Sequence, residues 1–362
     1  MKQRIESVDI LRGITIAAMI LVNTPGTWST IYAPLLHAKW HGLTPTDLIF
    51  PFFLFIVGIS ISYAYKNKPV NFGTYKKIGI RSLKLIGLGL FLNWFIPQFP
   101  FFKDFESLRL PGVLQRIGVV FFVSAIMFLH FNWKTLLGIS IVVLLGYWAL
   151  LGYAPLNGEA PTFNRASNNW ANYIDLKIFG KHMYKADYDP EGFMSTIPSV
   201  ITSVLGILIG QLLASAKPKK EQLLFISALV LLALGYLLNL EFPINKKIWS
   251  SSFVLTTAGW ATLILGVLYY IIDVKGMRFG AIFKYAGMNA ITVYFLSSFI
   301  SKMFYMVNVN ENQTIHDWIY NTFFTSVISI DKLASALYAL SVVSFYLLIG
   351  FILYKKKIFI KV

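Results

Sequence analysis

The chain has 362 residues, of which 56% are hydrophobic and only 13% charged, with a mean hydropathy of +0.64. A soluble domain usually carries about 25% charged residues, so there is too little polar surface here for a water-soluble globule and a bilayer must solvate the rest. The absence of cysteine excludes disulfides, a thiolate nucleophile and thiolate metal sites.

In chain order, apolar stretches close to the ~20 residues a helix needs to cross ~30 Å fall at 8–24, 46–65, 78–97, 112–130, 133–153, 195–215, 222–240, 250–272, 281–305 and 333–354. This predicts an all-α fold, a polytopic membrane helix bundle of about ten transmembrane helices. It forms one domain over 1–362, with the long polar loop 154–194 folded over one end as a cap. The first stretch follows Lys2 and Arg4 as a signal peptide would. Asp9 and Arg12 interrupt it and no small-x-small cleavage site follows near Asn23, so it reads as an uncleaved helix.

Ionisable groups in membrane spans are costly and mark candidate sites. Asp9 and Arg12, three apart, predict an ion pair on one helix face. His37 and His41, four apart around Trp40, offer a general base or nucleophile near neutral pH. Asp47 follows Thr44-Pro45-Thr46 as a helix-start acid, and could equally orient a histidine. Gln115 and Arg116, in LPGVLQRIG, call for a carboxylate, carbonyl or phosphate partner. Asp189 and Glu191 precede the sixth span, where acids suit a helix start or a sugar amine. Asn245, Lys246, Trp249 and Ser250 crowd a short turn that reads as an interfacial anchor or a polar rim for sugar or phosphate. The five histidines make no metal-ligand pattern, and no G-x-S-x-G or Walker-type loop occurs.

The charges assign the sides. With a cytoplasmic N-terminus, the cytoplasmic segments hold 19 Lys/Arg and three acids, whereas the opposite side holds 11 of each. The whole net charge of +16 thus lies on one face. This is the positive-inside bias, and it calls for both termini in the cytoplasm and an even number of spans. Contact with anionic lipid explains the basicity without nucleic acid.

Six ordered segments carry a resemblance: SVDILRGITI at 7–16, LLHAKWHGLTPTDLIFPFFLFIVG at 35–58, LPGVLQRIG at 110–118, DPEGFMSTIPS at 189–199, PINKKIWSSSFVL at 243–255 and GMNAITVY at 287–294. Together they resemble the heparan-α-glucosaminide N-acetyltransferase family, in particular its bacterial NagX-like members. The resemblance implies transfer of acetyl from acetyl-CoA, as co-substrate and without a metal, to the amine of a glucosamine-type sugar across a bacterial inner membrane. It makes His37 the active histidine, as base or acetyl carrier, with Asn23 and Asp47 beside it. Arg116, Gln115, Lys246, Asn245, Trp249 and Ser250 become candidates for CoA, and Trp40, His41, Asp189 and Glu191 for the sugar. Lysosomal members have Asn at the place of His41, and a luminal domain and leading span that are expected to be missing here, which leaves the acceptor open. A homodimer is marked by no sequence feature. The rival reading is an amino-sugar transporter of the N-acetylglucosamine type, but the paired halves common in transporters are not visible.

Overall fold

Helix starts are written into the chain as side-chain caps. Asn71 accepts from Thr74 N, Asn132 from Lys134 N and Thr135 N, Asn169 from Ala171 N and Asn172 N, and Ser250 from Phe253 N. Each satisfies amides that the first helical turn leaves without a partner. In a computed structural model, which describes residues 5–360, the chain folds into thirteen α-helices and one small hairpin among those residues. Lys2, Arg4 and Lys361, which enter the charge tally, lie outside the described residues.

The helices are α1 (Glu6–Asn23), α2 (Pro45–Tyr65), α3 (Phe72–Trp94), α4 (Val113–His130), α5 (Trp133–Tyr153) and α6 (Trp170–Phe179). They continue with α7 (Phe193–Leu213), α8 (Lys220–Leu238), α9 (Ser251–Leu268), α10 (Ala281–Met288) and α11 (Ala290–Met306). After the antiparallel strands β1 (Asn308–Asn310) and β2 (Gln313–Thr314) come α12 (Ile315–Tyr320) and α13 (Asp331–Lys355). Seven of them are long and apolar enough to cross a membrane: α2, α4, α5, α7, α8, α9 with its π-helical extension to Val274, and α13. α1 and α3 fit the expected spans 8–24 and 78–97 in place, but each carries several charged residues along its first half.

One expected span is broken. The stretch 281–305 is two helices that meet at Asn289, whose φ of −121° and ψ of 31° leave the helical region. Its side chain donates to Ile358 O at 3.0 Å and accepts from Ile360 N at 3.0 Å, clasping the C-terminal tail. A hydropathy reading sees only the continuous apolar run and misses that polar clasp.

α2 and α7 are among the most buried of the long helices. They meet backbone to backbone, because a Cβ at Gly58 would strike Ser203 O and one at Gly206 would strike Phe55 O. The first and last described residues share one end of the bundle, where Asp273 accepts from Glu6 N and Ser7 N, Lys284 pairs with Glu6 and Asn289 holds Ile358 and Ile360. The opposite end is built from the segments 24–44, 95–112, 154–192, 239–250 and 307–330.

Candidate active site

At that opposite end the chain leaves α1, passes a short 3₁₀ turn at Ala33–Leu35 and returns into α2. Asp47, fully buried in the first turn of α2, organises this return. Its Oδ2 accepts from Ala38 N at 3.1 Å, Thr44 N at 3.1 Å and Thr44 Oγ1 at 3.0 Å, and its Oδ1 from His37 Nδ1 at 2.7 Å. The two readings of Asp47, helix-start acid and histidine partner, are therefore both realised by one carboxylate. With Nδ1–H donating to Asp47, the His37 proton is placed there and Nε2 is left with the free electron pair. The side chain is 38% exposed, so a substrate can reach it.

Lys246 completes the cluster from the turn before α9. Its Nζ lies 3.1 Å from Nδ1 and 3.3 Å from Nε2 of His37, and 3.9 Å from Asp47 Oδ1. Burial lowers Lys246 to about 8, against the pull of Asp47 and Glu191. Burial also holds His37 below its usual value: Asp47 raises it while Lys246 and Lys247 lower it.

His41 faces elsewhere. Its Nε2 meets Asn164 Oδ1 at 2.9 Å and its Nδ1 meets Asn245 Nδ2 at 3.3 Å. Trp40 donates to Phe163 O at 2.9 Å and packs edge-on against Tyr188. Both residues thus tie the histidine loop to the segment 154–192. The polar atoms of the turn before α9 are engaged internally. Asn245 Oδ1 accepts from Lys247 N and Ile248 N, Ser250 caps α9, and the buried Trp249 donates to Thr202 Oγ1 at 3.0 Å.

Two arginines stand behind the cluster. Arg109 grips Asp189 at 2.8 and 2.6 Å and Glu191 at 2.5 Å. Burial resists the charge on Glu191, but Arg109, Arg116 and Lys246 overcome it and keep the carboxyl below its usual range. Arg116 is buried, bonded to Gly192 O and Ser195 Oγ, with its guanidinium 5.1 Å from the centre of the Trp249 ring. Its Nε and Nη1 have no hydrogen-bond partner. Beside it, Gln115 donates to Leu110 O at 3.2 Å.

Asn23 ends α1 and lines a cavity of about 530 Å³ with Trp28, Tyr294, Ser297, Ser298 and Ser301. A second cavity, about 670 Å³, lies toward the end that holds the termini. It is lined by Arg12, Lys77, Arg81 and Lys84, and by no acidic side chain among the described residues. Arg12 pairs with Asp9 at 2.9 Å, as expected, and also donates to Ser60 Oγ at 2.8 Å. The two cavities are stacked along the same helices: Ile117 and Ile291 line the second, and Val113 and Tyr294, one turn away, line the first. Lys77, Arg81 and Lys84 read in the sequence only as topology charges. Their i, i+4, i+7 spacing on one face of α3 was the available signal. No group of three His, Asp or Glu is placed to hold a metal among the described residues.

The sequence profile described as "Heparan-alpha-glucosaminide N-acetyltransferase, catalytic" matches residues 4–238. The human heparan-alpha-glucosaminide N-acetyltransferase is 31% identical over 424 aligned positions, and the mouse protein 30%. Each alignment covers 99% of this chain and 60% of the relative, so the chain spans about three-fifths of the length of these curated relatives.

Proposed function

The chain belongs to the heparan-α-glucosaminide N-acetyltransferase family, and from that premise we propose that it moves acetyl from cytosolic acetyl-CoA to the amine of a glucosamine-type sugar across a bacterial inner membrane. The observation that carries this reading is the pair of stacked cavities, cationic toward the termini and rich in hydroxyls toward the other end. CoA carries several phosphate charges, and Lys77, Arg81 and Lys84 are suited to them. On α2, the thirteen residues from Asp47 to Ser60 span about 20 Å. An extended pantetheine arm bridges a gap of that order and would bring the thioester toward the outer chamber.

The proposed topology has ten crossings: α1, α2, α3, α4, α5, α7, α8, α9, the α10–α11 pair and α13. Both termini are cytoplasmic and His37 lies on the far side. The acceptor amine arrives largely as ammonium and must lose a proton before it attacks the thioester carbonyl. His37 Nε2 takes that proton, or attacks first and carries the acetyl itself. The resulting imidazolium is stabilised by Asp47. Asn23 is the candidate donor to the developing oxyanion, and Glu191 the candidate partner for the sugar ammonium. CoA leaves as the thiolate and takes up a proton.

The test is acetyl transfer from acetyl-CoA to glucosamine by the full chain in detergent, where a transporter would show no activity. His37→Gln is expected to lower turnover by about 10²–10⁴-fold, the usual weight of a general base. Near wild-type turnover in that variant would remove His37 from the mechanism.

A further inference from the structure

His37 is approached by charges of both signs, and the chemistry above uses only Asp47. A carboxylate 2.7 Å from Nδ1 has a known drawback. It stabilises the imidazolium formed after proton transfer, but it also favours that imidazolium before any substrate arrives. A histidine protonated at rest has no free electron pair and can be neither base nor nucleophile.

Lys246 answers this. Its Nζ is nearly equidistant from the two ring nitrogens, at 3.1 and 3.3 Å. A hydrogen bond along one lone pair would single out one nitrogen, and Nδ1 is already donating to Asp47. Near-equal distances instead set the ammonium against the ring as a whole. The side chain is only 12% exposed, so water screens the contact weakly. Its position is built rather than incidental. Gly42 N donates to Ile244 O at 2.8 Å, which joins the Lys246 turn to the histidine's own loop. Asn245 Oδ1 then closes that turn through Lys247 N and Ile248 N.

We propose that Lys246 is a positioning residue for the transfer: its ammonium, held against the His37 ring in opposition to the Asp47 carboxylate, keeps the imidazole neutral until substrate binds. This rests on the reading of His37 as base or acetyl carrier. The groups facing the ring are Asp47 from α2, and Lys246 and Lys247 from the turn before α9. Those facing Lys246 are Asp47, Glu191, Lys247 and Arg116. Asp47 and Glu191 keep the ammonium charged in its buried place. Burial is the largest influence that holds His37 below its usual value, and Lys246 and Lys247 add to it against the carboxylate that touches the ring.

The experiment is a titration of ¹⁵N-labelled imidazoles in the purified full chain in detergent, with the His37 signal assigned by its loss in His37→Gln. In Lys246→Met the His37 midpoint is expected to rise by about one unit, a tenfold change in its protonation constant. Lys246→Arg is expected to stay near wild type. The acid limb of the kcat/KM profile for acetyl transfer should move up with the midpoint in the Met variant. A merely structural role would lower the amplitude without moving the limb. Lys246→Gln replaces the Met variant if that protein is not monodisperse. An unchanged or lowered midpoint in the neutral variant overturns the proposal. If the wild type transfers no acetyl at any pH, the acetyltransferase reading fails, while the imidazole titration still decides the role of Lys246.

Discussion

Asp47→Asn tests the histidine geometry with almost no change in shape. Three donors converge on Oδ2 of Asp47 and one, His37 Nδ1–H, on Oδ1. An asparagine therefore gains most by placing its amide oxygen at the Oδ2 position. Its NH₂ group then faces His37, and Nδ1 must become an acceptor. The imidazole proton moves to Nε2, where it blocks the electron pair that the reaction needs. The variant also loses a hydrogen bond to a charged group, worth about 1.5–3 kcal/mol. The expected loss in kcat/KM for glucosamine acetylation is about 10²–10⁴-fold, or roughly 2.7–5.4 kcal/mol of transition-state stabilisation. Thiol release from acetyl-CoA, followed in detergent, measures it. The control is Thr44→Ala, which removes the N-cap side chain and one donor to Oδ2 but leaves the His37–Asp47 bond. It should cost about 1 kcal/mol of stability with most of the activity intact. An Asp47→Asn enzyme within about threefold of wild type, under 1 kcal/mol, would refute the tautomer argument. So would a Thr44→Ala enzyme as impaired as Asp47→Asn.

Two further outcomes follow from other parts of the molecule. Arg81→Ala with Lys84→Ala should raise KM for acetyl-CoA by about tenfold or more, about 1.4 kcal/mol. It should leave KM for the sugar unchanged and make the CoA dependence less sensitive to salt; an unaltered KM for acetyl-CoA removes this cavity as the phosphate site. Asp175 on α6 accepts from Met194 N at 3.0 Å, and burial raises its carboxyl to about 6. A raised folded-state value means that its protonated form is favoured in the fold and that stability is lost as pH rises through about 6. Asp175→Asn should therefore raise the melting temperature at pH 7.5 and have much less effect at pH 4. A variant that is less stable at both pH values would show that the second carboxylate oxygen matters more than the charge.

The helices were largely legible in the sequence because hydrophobic length reports burial in lipid directly. Nine of the ten expected spans have a helix in place, and the tenth is broken by the clasp between Asn289 and the tail, a contact some 70 residues away in sequence. The family resemblance picks out His37 and Asp47 on one short segment, and in the fold the two, ten residues apart, are hydrogen-bonded. The partners of His41 lie 123 and 204 residues away, so its loop-tying role depended on the fold. Lys246 was visible as a cation near the site, but its seat on the His37 ring was not, since it depends on two loops meeting. Arg81 and Lys84 were hidden for another reason. The positive-inside bias already explained every basic residue on that face, and charge that has one sufficient cause advertises no second one.

Asp47 and Ser60 belong to one helix, and α2 is pressed backbone to backbone on α7 through Gly58 and Gly206. Such contacts leave little room for sliding, because packed interiors respond to displacement by clash rather than by smooth deformation. The separation between the histidine cluster and the cationic cavity is therefore set along one packed helix, which carries Pro51 between the two. On the proposed reading, the acetyl group crosses that fixed distance on the flexible arm of CoA, with no exchange of the helices between inward and outward states. The moving parts then belong to the loops around His37 and to the side chains between the cavities: Val113 and Tyr294 on one side, Ile117 and Ile291 on the other. This separates the proposed enzyme from a transporter built on the same number of spans. A transporter must alternate its access, whereas here a stationary shaft with chemically different ends is sufficient.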